Sequence, residues 1–279
     1  MKNRIVTLVL LLFLFSNCEK IKYSVDNPIA GLPTSVLMHR GCGDNPDYIP
    51  NTLAAAKFGL SVLDGIELDI QISKDGTLWL DHDNEVRDCD GNIIGCFQEM
   101  TDDEILAYGV CNDTVKYNTV ESVFELMSTD YPESIISLDV KGQYCEILNT
   151  SEVMTQMADE IARLVIKYRM YNKVLVESSS LAFMEELSTQ KSIGQCVISL
   201  GDIDKGIADA TATKARGISL KYGQEELNAD VVSLIHKKGY GLIVWVINEP
   251  DDIVDVWNSK PDFIETDNAD FKKYIPTSK

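Results

Sequence analysis

Short apolar runs rich in β-branched residues recur along the chain, with longer amphipathic stretches between them. The runs are Ser35 to Met38, Gly65 to Gln71, Ile135 to Val140, Val174 to Val176, Cys196 to Leu200, Gly217 to Leu220, Leu242 to Ile247 and Asp262 to Thr266. Such short runs, bounded by turn residues, predict buried strands. The stretches between them carry the helical period. Val153 to Tyr168 places Met154, Met157, Ile161, Leu164 and Val165 three and four residues apart. Leu227 to Lys238 gathers Val231, Leu234 and Ile235 on one face, with Lys237 and Lys238 suited to the negative end of a helix and Gly239 as a stop. Asn51 to Val62 opens on a good cap residue, Asn51, and keeps Leu53, Ala56 and Leu60 together.

Eight strands separated mostly by helices predict an α/β fold with a parallel sheet. The chain beyond position 33 is about 245 residues, close to the roughly 250 of a TIM (β/α)8 barrel. A doubly wound open sheet is the alternative, but no Gly-rich phosphate loop follows the first strand. The segment from about 83 to 120 breaks the alternation. It holds a turn, three cysteines and a helical piece near Asp102 to Leu106. It predicts a small insertion on the barrel rim after the second and third extended segments. Residues 34–279 thus form one barrel domain.

The N-terminus follows a different pattern. Lys2 and Arg4 precede an apolar run from Ile5 to Phe15, broken only by Thr7. That run is too short to span a bilayer and fits a signal-peptide core. Phe15-Ser16-Asn17-Cys18 follows, which resembles a bacterial lipobox, with Asn17 where Gly or Ala is usual. The resemblance implies that residues 1–17 are removed and that Cys18 carries lipid. Residues 18–33 then read as a tether, and the protein as exported and lipid-anchored, on the periplasmic face or the cell surface.

Composition narrows the function classes. Hydrophobic residues are 45% and charged residues 25%, an ordinary globular balance that excludes a disordered or fibrous chain. The net charge of −19 falls to −21 once Lys2 and Arg4 are gone. Such a chain has no electrostatic reason to bind nucleic acid, or to adhere to anionic lipid through a basic face. Its membrane link is the lipid anchor alone. Six cysteines remain beyond Cys18, and export allows disulfides to persist. Cys89 and Cys96 flank the Asp90-Gly91 turn signal and form the best candidate pair, against the alternative of free buried thiols.

Polar residues cluster at strand ends, where a barrel carries its chemistry. The first strand ends in His39-Arg40-Gly41. The second carries Glu67 and Asp69, two apart and therefore on one face. That face points either into the barrel, where two carboxylates repel unless a cation or an arginine sits between them, or to solvent. Lys74-Asp75-Gly76 makes a turn, and Thr77 to Asp83 ends in His82-Asp83. Asp139 and Lys141 repeat the alternating polar pattern later.

These pieces resemble the glycerophosphodiester phosphodiesterase family. The matching segments are His39-Arg40-Gly41, Pro50-Asn51-Thr52-Leu53-Ala54-Ala55, Ile66-Glu67-Leu68-Asp69-Ile70, Lys74-Asp75-Gly76 and His82-Asp83, in the family's order. Tyr117 to Glu121, Val244 to Asn248 and Phe263 to Asp267 extend the likeness. The resemblance implies a TIM barrel that holds a divalent cation, Ca2+ or Mg2+, on Glu67, Asp69 and Asp139. It implies His39 and His82 as an acid–base pair, with acid and base not assigned between them. Arg40 and Lys141 would bind phosphate, and Trp245 would wall the glycerol moiety. Apart from the resemblance, Lys221 at the end of the sixth strand is expected to add positive charge in this acidic chain. The expected substrate is a small glycerophosphodiester. Two departures stand out: Pro50 replaces the family's Glu, and Asp139 replaces a Glu one methylene longer. The alternatives are a phospholipase-like enzyme acting on lipid head groups, and a non-catalytic surface lipoprotein that binds phosphodiesters or glycans.

Overall fold

A computed structural model describes residues 29–112, 114–140, 151–190, 193–224 and 226–276. The leader, Cys18 and Lys141 lie outside the described residues. Eight parallel strands close into a barrel: β1 (Ser35–Met38), β2 (Gly65–Ile72), β8 (Ile135–Val140), β9 (Val174–Ser178), β10 (Gly194–Ser199), β11 (Gly217–Lys221), β12 (Gly241–Trp245) and β13 (Phe263–Thr266). The hydrogen-bonded order β1-β13-β12-β11-β10-β9-β8-β2 closes through the β1–β2 pair. All eight predicted strands are present in this ring.

Seven helices connect the barrel strands on the outside: α1 (Leu53–Val62), α3 (Val120–Asp130), α4 (Ser151–Lys167), α5 (Leu181–Leu187), α6 (Ile203–Thr213), α7 (Ala229–Lys237) and α8 (Pro250–Ser259). Their apolar stripes bury against outward-facing strand residues in one core that includes Ile66, Leu68, Phe124, Ile161, Leu164 and Ile235. The predicted boundaries of α4 and α7 hold to within two residues. At α1 the cap differs from expectation. Thr52, not Asn51, accepts the hydrogen bond from the Ala55 N–H, and Asn51 takes a left-handed φ of 57° outside the helix.

The strands begin at a closed floor. Ile29 is 1% exposed and packs with Leu37, Leu175, Cys196, Ile243 and Phe263, which come from five different strands. Gly194, Gly217 and Gly241 open β10, β11 and β12 without side chains. A Cβ at Gly217 or Gly241 would come within 2.8 Å of the Ile29 side chain. These glycines leave the space that Ile29 fills. Ile29 to Pro33 of the expected tether therefore run beneath the barrel, where the Leu32 N–H donates to Asp262 Oδ1 at 2.8 Å.

The rim insertion is built as its composition suggested. The strand β3 (Leu78–Leu80) turns back antiparallel on β2. A hairpin of β4 (Glu85–Arg87) and β5 (Ile93–Cys96) follows. The helix α2 (Asp102–Ala107) and a short hairpin of β6 (Val110–Cys111) and β7 (Thr114–Val115) complete it. The expected Cys89–Cys96 pair does not form; Cys89 bonds to Cys111. The hairpin register gives the reason: Cys96 pairs opposite Glu85, whereas Cys89 sits in the turn between the strands, facing β6. Cys42 and Cys196 are buried free thiols. Among the described residues no helix is long and apolar enough to cross a membrane.

Candidate active site

The strand ends opposite the floor surround a cleft of about 490 Å³, lined by residues that include His39, Arg40, Glu67, His82, Asp139 and Trp245. The alternation of β2 decides which of its residues reach it. Ile66, Leu68 and Ile70 face the helices and join the outer core. Glu67 and Asp69 face inward, and Asp139 joins them from β8, where it pairs in register with Asp69. One oxygen from each carboxylate lies within 4.8 Å of the other two. Glu67 is 2% exposed and Asp69 1%.

Arg40 brackets this cluster. It follows β1 in a single 3-10 turn and takes a left-handed φ of 52°. Its backbone N–H donates to Glu67 Oε2 at 2.8 Å, and its Nε lies 3.3 Å from Asp69 Oδ2. Asn51 holds Asp69 from the other side. Its Nδ2 donates to Asp69 Oδ2 at 2.8 Å and its Oδ1 accepts from the Asp69 N–H at 3.0 Å. The left-handed turn at Asn51 makes this two-point contact possible.

His39 is fixed by a carboxylate. Its Nδ1 lies 2.7 Å from Asp267 Oδ1, beyond the end of β13, and its Nε2 lies 3.9 Å from Glu67 Oε2. A carboxylate can only accept, so Nδ1 carries the proton and Nε2 is left as the proton acceptor. Asp267 is oriented by Asn248, whose Nδ2 donates to Oδ2 at 2.9 Å and whose Oδ1 accepts from the Asp267 N–H at 2.8 Å. Partial burial alone would raise the Asp267 carboxyl. The His39 hydrogen bond and charge, Asn248 and Arg40 outweigh it and hold the group below its ordinary value. His82 follows β3, is 45% exposed at its side chain, and has Nδ1 2.9 Å from Asp83 Oδ1.

Further groups line the interior. Lys221 Nζ sits 6.0 Å from the centre of the Trp245 ring. Glu177 accepts a hydrogen bond from Ser137 Oγ. Burial, then the charges of Glu177 and Glu67, push the Glu265 carboxyl well above its ordinary value. Asp81, beside the cluster, is raised to about 7, chiefly by burial.

The structure thus brings together eight of the sequence-predicted site residues: His39, Arg40, Glu67, His82, Asp139, Lys221 and Trp245 line the cleft, with Asp69 beside Glu67. Sequence reasoning assigned no role to Asp267, Asn248, Glu177 or Glu265, and gave Asn51 to a helix cap. Asp267 and Asn248 stand in the quoted family-like segments, which was the available signal. Glu177 had none.

A family model described as the glycerophosphoryl diester phosphodiesterase family matches residues 39–271. A glycerophosphodiester phosphodiesterase from Caldanaerobacter subterraneus subsp. tengcongensis is 24% identical over 254 residues, 86% of this chain and 96% of that protein. The crystal structure of a glycerophosphodiester phosphodiesterase from Parabacteroides distasonis superposes with a TM-score of 0.71 at 18% identity, covering 87% of this chain and 97% of that one. A phosphodiesterase from Oleispira antarctica, solved in complex with the product sn-glycerol-3-phosphate, gives 0.67 at 14% identity, covering 87% of this chain and 96% of that one. At these identities the structural likenesses establish the shared barrel.

Proposed function

The chain belongs to the glycerophosphoryl diester phosphodiesterase family, and we propose that it cleaves glycerophosphodiesters to an alcohol and glycerol phosphate with His39 and His82 as its acid–base pair. It is a phosphoric diester hydrolase. The observation that carries the mechanism is the placing of both histidines on one cleft with Arg40 and the buried carboxylates.

The carboxylate set fits a divalent cation. Three carboxylates within 4.8 Å of one another, two of them almost wholly buried, repel unless positive charge lies among them; Arg40 supplies part of it at Asp69, and a divalent cation shared by all three would supply the rest. Oxygen-only donors suit a hard ion such as Ca2+ or Mg2+. Glu67, Asp69 and Asp139 would hold it, and it would supply positive charge for the phosphate and for the charge that builds during the reaction.

The protein's own groups do the rest. Arg40, tied to Asp69, offers guanidinium N–H groups to the phosphate oxygens. Lys221 adds a second positive charge at the cleft, and Lys141 has the same assignment by its place in the sequence. The Trp245 ring walls the glycerol moiety. One histidine takes a proton from the attacking oxygen, either a neighbouring glycerol hydroxyl or a water, as that oxygen bonds to phosphorus. The other gives a proton to the departing alcohol oxygen as its bond to phosphorus breaks. Asp267 keeps His39 in the tautomer able to accept. Lipid on Cys18 would hold the exported enzyme at a membrane.

Hydrolysis of glycerophosphocholine and glycerophosphoethanolamine by the purified protein, with calcium or magnesium and then with EDTA, tests this. Turnover that EDTA abolishes is expected. Turnover untouched by EDTA refutes the cation's part, and no turnover of any phosphodiester refutes the activity.

A further inference from the structure

We propose that the floor of the barrel is a docking face for anionic phospholipid head groups, which turns the catalytic mouth away from the bilayer toward water-soluble glycerophosphodiesters. This rests on the lipid anchor at Cys18, extends that reading to orientation and substrate source, and replaces the expectation from net charge that no basic face meets anionic lipid.

The first observation is where the chain enters. Ile29 is buried in the floor among residues of five strands, at the end opposite the mouth. Only the residues between Cys18 and Ile29 separate lipid from floor, a stretch that extends to about 36–40 Å at most. To set the mouth against the membrane, the segment must first cross the helix layer, about 20 Å from the barrel axis. It must then climb the barrel, about 20 Å for an eight-residue strand tilted by about 40°. That path of about 40 Å leaves no slack even in the fully extended segment. With the floor against the head groups, the same segment is ample.

The second observation is charge. The chain is strongly acidic, yet its charges are segregated. The described connectors from helix to strand lie at the floor end. They expose Arg169, Lys214, Lys238 and Lys260, none of which is in an ion pair with a described residue. Most of the carboxylates there are neutralised or hidden, with Asp130 at the end of α3 as the exposed exception. Asp64 pairs with Lys272, Glu133 pairs with Lys173, and Asp262 is fully buried. Three of the four basic residues hold left-handed backbone, at φ 55° for Arg169, 61° for Lys214 and 60° for Lys260. Glycine or asparagine is the usual choice at such positions, so the long cationic side chains stand where the backbone does not favour them. The mouth has the opposite sign: Asp44, Asp47, Asp202, Glu226 and Glu249 are exposed on its loops and outnumber the exposed Lys221. An anionic surface attracts one end of this molecule and repels the other, so the barrel orients on it. The rim insertion exposes Ile93, Leu106 and Val110 at the mouth end, but Asp90, Asp103 and Glu104 are exposed beside them. Those carboxylates oppose burial in anionic lipid.

The test uses the full chain, purified from membranes after processing, with intact mass reporting lipid on Cys18. A fluorescent label is placed at Glu133→Cys, on the floor, or at Glu249→Cys, on a mouth loop. The protein is reconstituted in phosphatidylglycerol–phosphatidylcholine vesicles that carry a head-group nitroxide quencher. The floor label is expected to be quenched several-fold more than the mouth label. That difference should shrink by about half or more when Lys214→Glu, Lys238→Glu and Lys260→Glu are combined, with hydrolysis of soluble glycerophosphocholine unchanged. A lipidated chain whose mouth label is quenched as strongly as its floor label overturns the orientation. A difference untouched by the three reversals overturns the role of the basic residues. A chain without lipid overturns the anchor, and its mass shows this independently of the quenching.

Discussion

Replacing Asp267 with asparagine keeps the side-chain shape beside His39 and removes its charge. His39 Nδ1 lies 2.7 Å from Asp267 Oδ1, a charge-assisted contact. Hydrogen bonds of this kind contribute about 1.5–3 kcal/mol. If that energy is felt in full by the reacting imidazole, kcat/KM falls by roughly 10- to 150-fold, at about 1.36 kcal/mol per decade. The direction of the new amide follows from its other neighbour. Asn248 Nδ2 donates to Asp267 Oδ2 at 2.9 Å and needs an oxygen there. The amide NH2 must then face His39, which turns Nδ1 into an acceptor and puts the ring proton on Nε2, the wrong nitrogen for accepting one. The loss should therefore lie at the upper end of the range or beyond it. Steady-state kcat/KM on glycerophosphocholine, followed by choline release, measures this. Acid unfolding supplies a second reading. The Asp267 carboxyl is held below its ordinary value, so its stabilisation is complete above about pH 4 and is lost as pH falls through the lower native value. The difference in Tm between the native protein and Asp267→Asn should be largest near neutrality and close on acidification. A variant that keeps kcat/KM within about threefold would falsify the role given to Asp267.

His39→Ala and His82→Ala should each slow hydrolysis by about 10²–10⁴-fold without loss of the folded signal in circular dichroism, and a rate near that of the native protein excludes either from proton transfer. Ile29→Ala empties the barrel floor and should cost about 2–5 kcal/mol, read from urea unfolding; a loss under about 1 kcal/mol means the floor repacks or was never sealed. The Cys89–Cys111 bond spans 22 residues of the rim insertion. Opening it with Cys89→Ser and Cys111→Ser together should cost the insertion up to about 3 kcal/mol. Hydrogen exchange should quicken across 85–115 while the barrel strands stay protected, and uniform quickening would contradict a local role.

The barrel was legible because each of its eight strands is a compact apolar run and most of the connecting helices keep a clean three–four spacing. The inward aim of Glu67 and Asp69 was not, because every residue of β2 is buried. With both faces of the strand covered, alternation marks which residues share a face and not where that face points. Asn51 was misread for a related reason. An Asn before a helical pattern is a good cap by local rules, but its partner here is Asp69, eighteen residues away. His39 and Asp267 are 228 residues apart and meet only because β1 and β13 are neighbours in the closed ring. The cysteine pairing failed on hairpin register, which the Asp90-Gly91 turn signal could not supply.

The burial of Ile29 sets how such an enzyme could be released. For a chain held at Cys18, the leash is the ten residues from Glu19 to Pro28. A protease cutting within them frees a complete, working domain into solution. One cutting past Ile29 draws out the stopper on which five strands rest, and what it releases has lost part of its core. Shedding of active enzyme and its destruction would then be separated by a few positions along the chain, at the end farthest from the chemistry.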